Sequence, residues 1–396
     1  MKIQILLQGR FPTEKAYGVT TTGTINSLLN LGHEVTVYSL DSDYKDSDID
    51  GKNYCLRHYT ETRLSKRMKK LAFRGFGPTS KLAWVIFWKL VLMRNRKELF
   101  SQKTDLYWIR DFTMLSFIPH SGLLIYELHK ILNYSRSVIL KFKYKKRITL
   151  LAPISQSIQN SLILNKIDLQ IISAPMGIQA SYVETTTGVL DYLVRIKNLE
   201  KSQYKGLKVG YVGKFSPNGY SKGIEDLLNL AAYNAANSKT YEISITGGSL
   251  NEVASAMNTL RDFGLSKNEI EINGHISHPE AIRKMKYLDV LVLPMPASKK
   301  YVGFPLKAIE SIASGRIVVA ARCKIYQDIF DGSFEPYWYE ANDVMSLNLA
   351  ITKALNDESR GERLAKGLEF SSRFTWDART KKLLDGLISS QDKLNS

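Results

Sequence analysis

"YVGFPLKAIESIASGRIVVA", Tyr301 to Ala320, sets a single carboxylate, Glu310, one turn into an otherwise apolar helix that follows a tight Gly-Phe-Pro turn. Just before it, "DVLVLP", Asp289 to Pro294, reads as a buried strand, and Ile317 to Ala320 reads as the next one. Pro305 suits the first helical position, where no backbone donor is missed, and Gly315 suits the C-terminal stop. Strand, loop, helix and strand in this order build a parallel sheet, and ligands of such sheets sit beyond the carboxyl ends of the strands. The turn at 303–306 therefore faces a ligand position by topology. Leu306, Ile309 and Ala313 form the buried stripe of the helix, and Glu310 falls at its edge.

The same alternation extends in both directions. Upstream in the second half, "LKVGYVG", "YEISITGG" and "EIEING" read as strands, with helices near Gly223 to Ala235, Glu252 to Phe263, Pro279 to Met285 and Pro305 to Ser314. In the first half, "KIQILLQ", "HEVTVYS", "DLYWIR", "GLLIYEL" and "ITLLAPIS" read as strands, with helices over Thr20 to Leu31 and from Gln156, and the half ends in "LQIISAPMG". Two successive series of this kind predict an α/β protein of two doubly wound parallel sheets facing across a cleft. The expected division is a first Rossmann-like domain over 1–185, a second over 205–375, and a closing helix in 376–396. The polar stretch Tyr182 to Tyr204 reads as the linker, with room for a short helix in "GVLDYLVRIKNLEK".

A chain of 396 residues, 44% of them hydrophobic, is long enough for more than one core. Its two cysteines, Cys55 and Cys323, imply neither a disulfide framework nor a thiolate metal cluster, and a reducing compartment fits. The start "MKIQILLQGRFP" lacks the apolar core and cleavage site of a signal peptide, and the longest apolar run, Leu82 to Met93, contains Lys89. A cytoplasmic protein without a spanning helix is expected. The net charge of +17 is uneven: residues 63–103 carry 12 Lys/Arg against Glu98 alone, and 130–147 carry seven with no acid. Such a field attracts an anionic partner, whether nucleic acid, lipid head groups or a phosphorylated substrate.

Lys214 and Lys222 bracket a loop after the strand that ends at Gly213, and the next helix starts behind it; helix amides, dipole and two cations suit a diphosphate. The plain alternative is a surface loop with solvated lysines. Glycine turns recur at the next strand ends, "ITGGS" around Gly247 and "NGHIS" around His275 and Ile276. Signatures of nicotinamide binding, phosphate-loop ATPases, serine hydrolases and zinc proteases are missing from the chain. The acidic run Asp41 to Gly51 lacks the flanking helices and closing glutamate of a calcium-binding hand and reads as a solvated loop. Of six histidines, His129 in "YELHK" is the one that follows a strand end toward the cleft, with a structural histidine as the alternative.

Taken in order and at their spacings, "GKFSPNGYSKGIEDLL", "ITGG", "INGHIS", "LDVLVLP" and "GFPLKAIESIASGRIVVAA" resemble the C-terminal half of GT-B glycosyltransferases of family 4, retaining nucleotide-sugar enzymes. "GVTTTGTINSLLNLGHEVTVYS", "YELH", "APISQSI" and "APMGI" resemble elements of their N-terminal half more loosely, and roughly 41–103 and the linker are not covered. The resemblance implies roles. Lys214 and Lys222 would hold the donor diphosphate. Glu310 would grip the ribose hydroxyls as the second glutamate of the family's Glu-x7-Glu motif. Amides around Gly303, Phe304 and Leu306 would face phosphate or sugar, the turn at His275 and Ile276 would face the base, and Gly213, Gly247 and Pro305 would also belong to the donor site. His129 would lie near the transferred sugar and Gly18 near diphosphate and acceptor. The final helix, "WDARTKKLLDGLI", resembles the one that packs back toward the first domain. One departure stands out: the first glutamate of the motif is Val302 here.

The expected activity is transfer of a sugar from a nucleotide sugar to a glycan or lipid-linked acceptor, in cell-surface polysaccharide or glycolipid synthesis, with no metal or other cofactor. Basic residues alternating with Trp84, Phe87 and Trp88 in 63–103 suit an anionic membrane surface, which would make the protein peripheral on the inner face of the cytoplasmic membrane. Alternatives are a GT-B nucleotide-sugar epimerase and a nucleic-acid-binding protein that uses the basic N-terminal half.

Overall fold

A computed structural model describes residues 1–13, 16–42, 54–73, 78–216, 221–237, 241–266, 269–296, 304–330 and 332–395. The chain divides into two units, one of Met1–Gly177 with Trp376–Ser396, the other the greater part of Ile178–Thr375. In the first, strands β1 (Lys2–Arg10), β2 (Glu34–Leu40), β3 (Tyr54–His58), β4 (Leu106–Ile109), β5 (Leu123–Leu128) and β6 (Leu150–Pro153) form a six-stranded sheet in the order β3-β2-β1-β4-β5-β6. In the second, β7 (Lys208–Val212), β8 (Glu242–Gly248), β9 (Ile270–Gly274), β10 (Val290–Leu293), β11 (Ile317–Ala321) and β12 (Tyr337–Tyr339) form another, ordered β12-β11-β10-β7-β8-β9. The pairings in both are parallel.

Central strands such as "LYWI" in β4 and "VLVL" in β10 are buried at every position, because helices cover both faces of a parallel sheet. The covering helices of the first unit are α1 (Ala16–Asn30), α2 (Arg63–Phe73), α3 (Pro78–Leu99), α4 (Tyr134–Lys143) and α5 (Gln156–Leu164). Those of the second are α6 (Thr186–Lys201), α7 (Glu225–Ala236), α8 (Leu250–Asp262), α9 (His278–Tyr287), α10 (Leu306–Ala313), α11 (Lys324–Gln327), α12 (Val344–Leu355) and α13 (Arg360–Ser372). The last helix, α14 (Trp376–Asn395), belongs to the first unit, where Leu383, Leu384 and Leu387 join Ile25 and Leu28 of α1 in one core. Each sheet runs outward from its first strand and then reverses, so the chain changes direction between β1 and β4 and again between β7 and β10. The carboxyl ends at those two places are the positions where open parallel sheets bind ligands.

Two expectations need correction. The stretch 182–204 is no mere linker: α6 has 16 residues and is built into the second unit through buried Val189, Tyr192 and Ile196. Arg195 clamps Asp289 with Nε and Nη2 at 2.7 and 2.9 Å, and the Tyr192 hydroxyl donates to the Asp289 carbonyl at 2.6 Å. "LQIISAPMG" forms no strand beyond a single bridge from Ile171 to Leu151. The strand at β3, the strand at β12 and the helices α12 and α13 add to the pattern read from sequence. Most of the acidic run 41–51 lies outside the described residues, as do Val302 and Gly303.

Candidate functional site

The β10–α10 unit carries the carboxylate that the sequence singled out. Glu310 is 2% exposed, so it lies within the buried face of α10 rather than at its edge. It is not left alone there. His278, from the first turn of α9, places Nε2 2.6 Å from Glu310 Oε1, and Lys307, one turn earlier on α10, places Nζ 2.9 Å from Oε2. Burial alone would raise the carboxyl pKa, but the Lys307 charge and the His278 hydrogen bond outweigh it and hold Glu310 at about 2. Behind His278, Tyr182 stands edge-on to the imidazole at 5.3 Å between ring centroids, with its hydroxyl 3.4 Å from Nδ1. The imidazole is thus located on both sides. The chain places it by a capping box in which Ser277 and Glu280 satisfy each other's backbone at the start of α9.

The carboxyl ends of β7, β8 and β9 present backbone. Gly247 has φ +123°, and a Cβ there would come within 2.4 Å of the Gly213 carbonyl oxygen, so these two turns approach as only glycine permits. The Gly213 amide donates to Thr246 O at 2.8 Å, and Asn273 Nδ2 donates to Thr246 Oγ1 at 3.2 Å. Lys214 is exposed and Lys222 partly buried. They precede α7 as expected, but the first turn of that helix holds acids of its own. Asp226 is committed to the Tyr339 hydroxyl at 2.7 Å and the Asn342 amide at 3.1 Å, and Glu225 takes the Ser221 hydroxyl at 3.2 Å. His275 is exposed in the β9–α9 turn, and Ile276 packs against the cluster of Val212, Met285 and Leu291. Pro305 is buried as the residue that opens α10, flanked by half-buried Phe304 and Leu306.

In the first unit, His129 follows β5 and its Nε2 lies 2.6 Å from Oε1 of Glu127, two residues earlier on the same face. Glu127 is fully buried, accepts a hydrogen bond from the Trp108 indole at 2.9 Å, and is ion-paired with Arg110 Nε at 3.1 Å and Arg379 Nη2 at 2.9 Å. Burial opposes its ionisation, yet Arg110, Arg379 and His129 together hold it well below the usual carboxylate range. His129 goes the other way: burial, aided by the two guanidinium groups, lowers its pKa despite Glu127. The neutral imidazole therefore donates from Nε2 and leaves Nδ1 as an acceptor. Arg110 also reaches Thr21 Oγ1 at 2.8 Å, tying β4 to α1. Gly18 lies on that helix against the Thr13 backbone, where a Cβ would fall 1.8 Å from the carbonyl oxygen.

Of these groups, His278, Glu127, Arg110 and Arg379 were not singled out from sequence. Glu127 and His129 share a face of one strand, a spacing visible in "YELH"; the partners from α9 and α14 left no local signal.

Comparison with known proteins bears on the fold and on the second unit. Residues 206–357 match the family of group 1 glycosyl transferases. No curated protein matches the chain by sequence. Among solved structures, HepE of Anabaena is similar with a TM-score of 0.66 at 16% identity, over 98% of this chain and 100% of that one. Sucrose-phosphate synthase of Thermosynechococcus elongatus gives 0.67 at 17% identity over 100% of both chains. A glycosyltransferase of Rickettsia africae gives 0.68 at 14% over 98% of both. The two parallel-sheet units are those of the GT-B fold, and the second of them carries the match to group 1 glycosyl transferases.

Proposed function

We propose that the protein transfers a glycosyl group from a nucleotide sugar to a hydroxyl of a glycan or lipid-linked acceptor, with retention, and that its second unit holds the nucleotide. The observation that carries this reading is Glu310, an ionised carboxylate buried between His278 and Lys307 on the helix after β10. A carboxylate accepts hydrogen bonds from two vicinal hydroxyls, and Glu310 supplies that group to a ribose. Lys214 and Lys222, with the amides near Gly213, Gly247 and Gly303, take the diphosphate; His275 and Ile276 border the base; Phe304, Pro305 and Leu306 border phosphate and sugar. His129 and Gly18 serve the transferred sugar and the acceptor side. HepE of Anabaena is known with UDP and with UDP-glucose, which makes a uridine donor the first to try.

In the reaction, the bond from the sugar C1 to the diphosphate breaks and its electron pair leaves on phosphate. The acceptor oxygen bonds to C1, and its proton passes to the departing diphosphate. Lys214 and Lys222 stabilise the growing negative charge, so no metal is assigned to the step. Thermal shift with UDP-, GDP-, ADP- and dTDP-sugars tests the donor reading, because a ligand that binds the native state must stabilise it. One nucleotide series should raise the melting temperature; no shift with any of them would overturn the reading.

For location, we infer reversible attachment to an anionic membrane through the α2–α3 hairpin. Among the described residues no helix is long and apolar enough to cross a membrane. The hairpin instead exposes Phe73 at 70%, Leu82 at 61% and Met93 at 65% beside exposed Lys66, Arg67 and Lys70. Each cation near an anionic surface contributes about 1 kcal/mol. Lys69 is tied to Glu61 at 3.1 Å and does not count among them. Changing Lys66, Arg67 and Lys70 to Ser should release the protein from liposomes rich in anionic lipid; co-sedimentation indifferent to lipid charge would refute the attachment.

A further inference from the structure

The first turn of a helix favours negative charge, and three helices of the second unit obey. α7 opens with Glu225 and Asp226, and α8 and α9 open with Ser-x-x-Glu capping boxes. α10 does not. It opens on Pro305, which offers no side-chain cap, it has no acid in its first turn, and it carries Lys307 there. Lys307 also precedes Glu310 by three residues, the order of charges that the helix dipole disfavours. What holds the ammonium in this place is Glu310, not the helix.

The two oxygens of Glu310 are not held alike. Oε1 takes the His278 Nε2 hydrogen bond at 2.6 Å. Oε2 is buried and, among the described residues, has no hydrogen-bond partner; Lys307 Nζ neutralises it as an ion pair at 2.9 Å. A buried carboxylate oxygen without a donor aligned on it is costly, and a ribose hydroxyl would supply that donor. The ammonium is also the member of the pair that reaches solvent: its side chain is 34% exposed, that of Glu310 1%. Lys307 thus stands on the oxygen that a ligand would use, and a compact ammonium on a four-carbon stem is free to move off it.

We propose that Lys307 is a partner-switching cation of the donor site. It neutralises Glu310 until ribose hydroxyls take its place on Oε2, and it then binds a phosphate of the same nucleotide. The chemistry selects a nucleoside phosphate over a nucleoside. A ribose alone would take the ammonium from its counter-charge and give it only water in exchange. A phosphate at the uncapped start of α10 restores an anionic partner and suits the first-turn amides. Recognition of ribose and of phosphate is thereby coupled through one side chain. The inference rests on the ribose role of Glu310 and adds to it the residue that links that role to the diphosphate.

The test uses the full chain with UDP and uridine, which differ only in the diphosphate. Calorimetry reads UDP and ligand-observed NMR reads uridine, for wild type, Lys307→Met and Glu310→Ala. Lys307→Met should bind UDP at least fivefold more weakly and uridine at least as tightly as wild type, because the competitor for Oε2 is gone. Retained uridine binding also establishes that the variant is folded. Lys307→Gln, which removes the charge but keeps a donor beside Glu310, should show the same loss for UDP and decides the matter if Lys307→Met does not fold. UDP affinity equal in wild type and both variants would overturn the switch. So would a loss of UDP and uridine by one common factor, which would make Lys307 a mere support for Glu310. Glu310→Ala should weaken both ligands; if it weakens neither, the ribose reading falls and the switch with it. No binding of either ligand by the wild type would end both.

Discussion

Glu127 of the first unit and Glu310 of the second are both buried carboxylates on the carboxyl side of a parallel sheet, and each has a histidine Nε2 at 2.6 Å. They differ in what else surrounds them. Glu127 sits in a strand, enclosed by two ion-paired guanidinium groups and an indole that donates to it. Glu310 sits in the first turns of a helix, and among the described residues its second oxygen meets the ammonium of Lys307, whose side chain is 34% exposed. A lysine on a flexible stem can turn to solvent or to a phosphate, whereas a guanidinium enclosed by protein cannot. The carboxylate enclosed by buried cations therefore reads as structural, and the one beside a partly exposed lysine as a group that can exchange partners with a ligand.

The largest expected effect follows from breaking the enclosed member. Glu127→Ala leaves Arg110 and Arg379 without their counter-charge, with side chains 5% and 3% exposed. Removing one partner of such a buried set costs about 3 to 5 kcal/mol. Thermal unfolding should show a fall of about 10 °C, given a few degrees per kcal/mol for a domain of this size. A fall of only a degree or two would mean that the network is not what holds β4, β5 and α14 together.

A smaller effect, opposite in sign, is expected at Asp111. Its folded pKa of about 6 lies above the ordinary value of 3.8, so its stability contribution is fully present below about pH 4 and lost as pH rises through about 6. At pH 7.5 the ionised side chain is a burden on the fold. Asp111→Asn should then raise the unfolding free energy measured in urea by an amount on the order of 1 to 2 kcal/mol, and this gain should vanish near pH 4. Glu310, held at about 2, behaves in the reverse sense: its contribution is present above about pH 4.5 and is lost as pH falls toward 2. A gain for Asp111→Asn that is the same at both pH values would remove titration as its cause.

Much of this was legible in the sequence because it is local. Glu310 stood out as one acid in an apolar helix after a strand, and the two βα series followed from strand and helix periodicities. What escaped was tertiary. His278 reaches Glu310 across 32 positions and Arg379 reaches Glu127 from the last helix, pairings that no spacing rule encodes. The helix α6 is a different kind of miss. Val189, Tyr192 and Ile196 already stand at helical intervals, but the surrounding polar residues concealed them, because only one face of α6 is buried. The acidity of Asp111 was also out of reach, since burial sets it and burial depends on the whole fold.

The central claim is that Glu310 is the exchangeable member of the pair and binds the nucleotide ribose. Calorimetric titration of UDP into wild type, Glu310→Ala and His278→Asn addresses it most directly. Loss of hydrogen bonds to a charged group is worth about 1.5 to 3 kcal/mol, so Glu310→Ala should bind UDP roughly 10- to 150-fold more weakly, at a melting temperature close to the wild type's. His278→Asn, which only loosens the carboxylate's position, should fall between the two. Equal UDP affinity in wild type and Glu310→Ala would contradict the account.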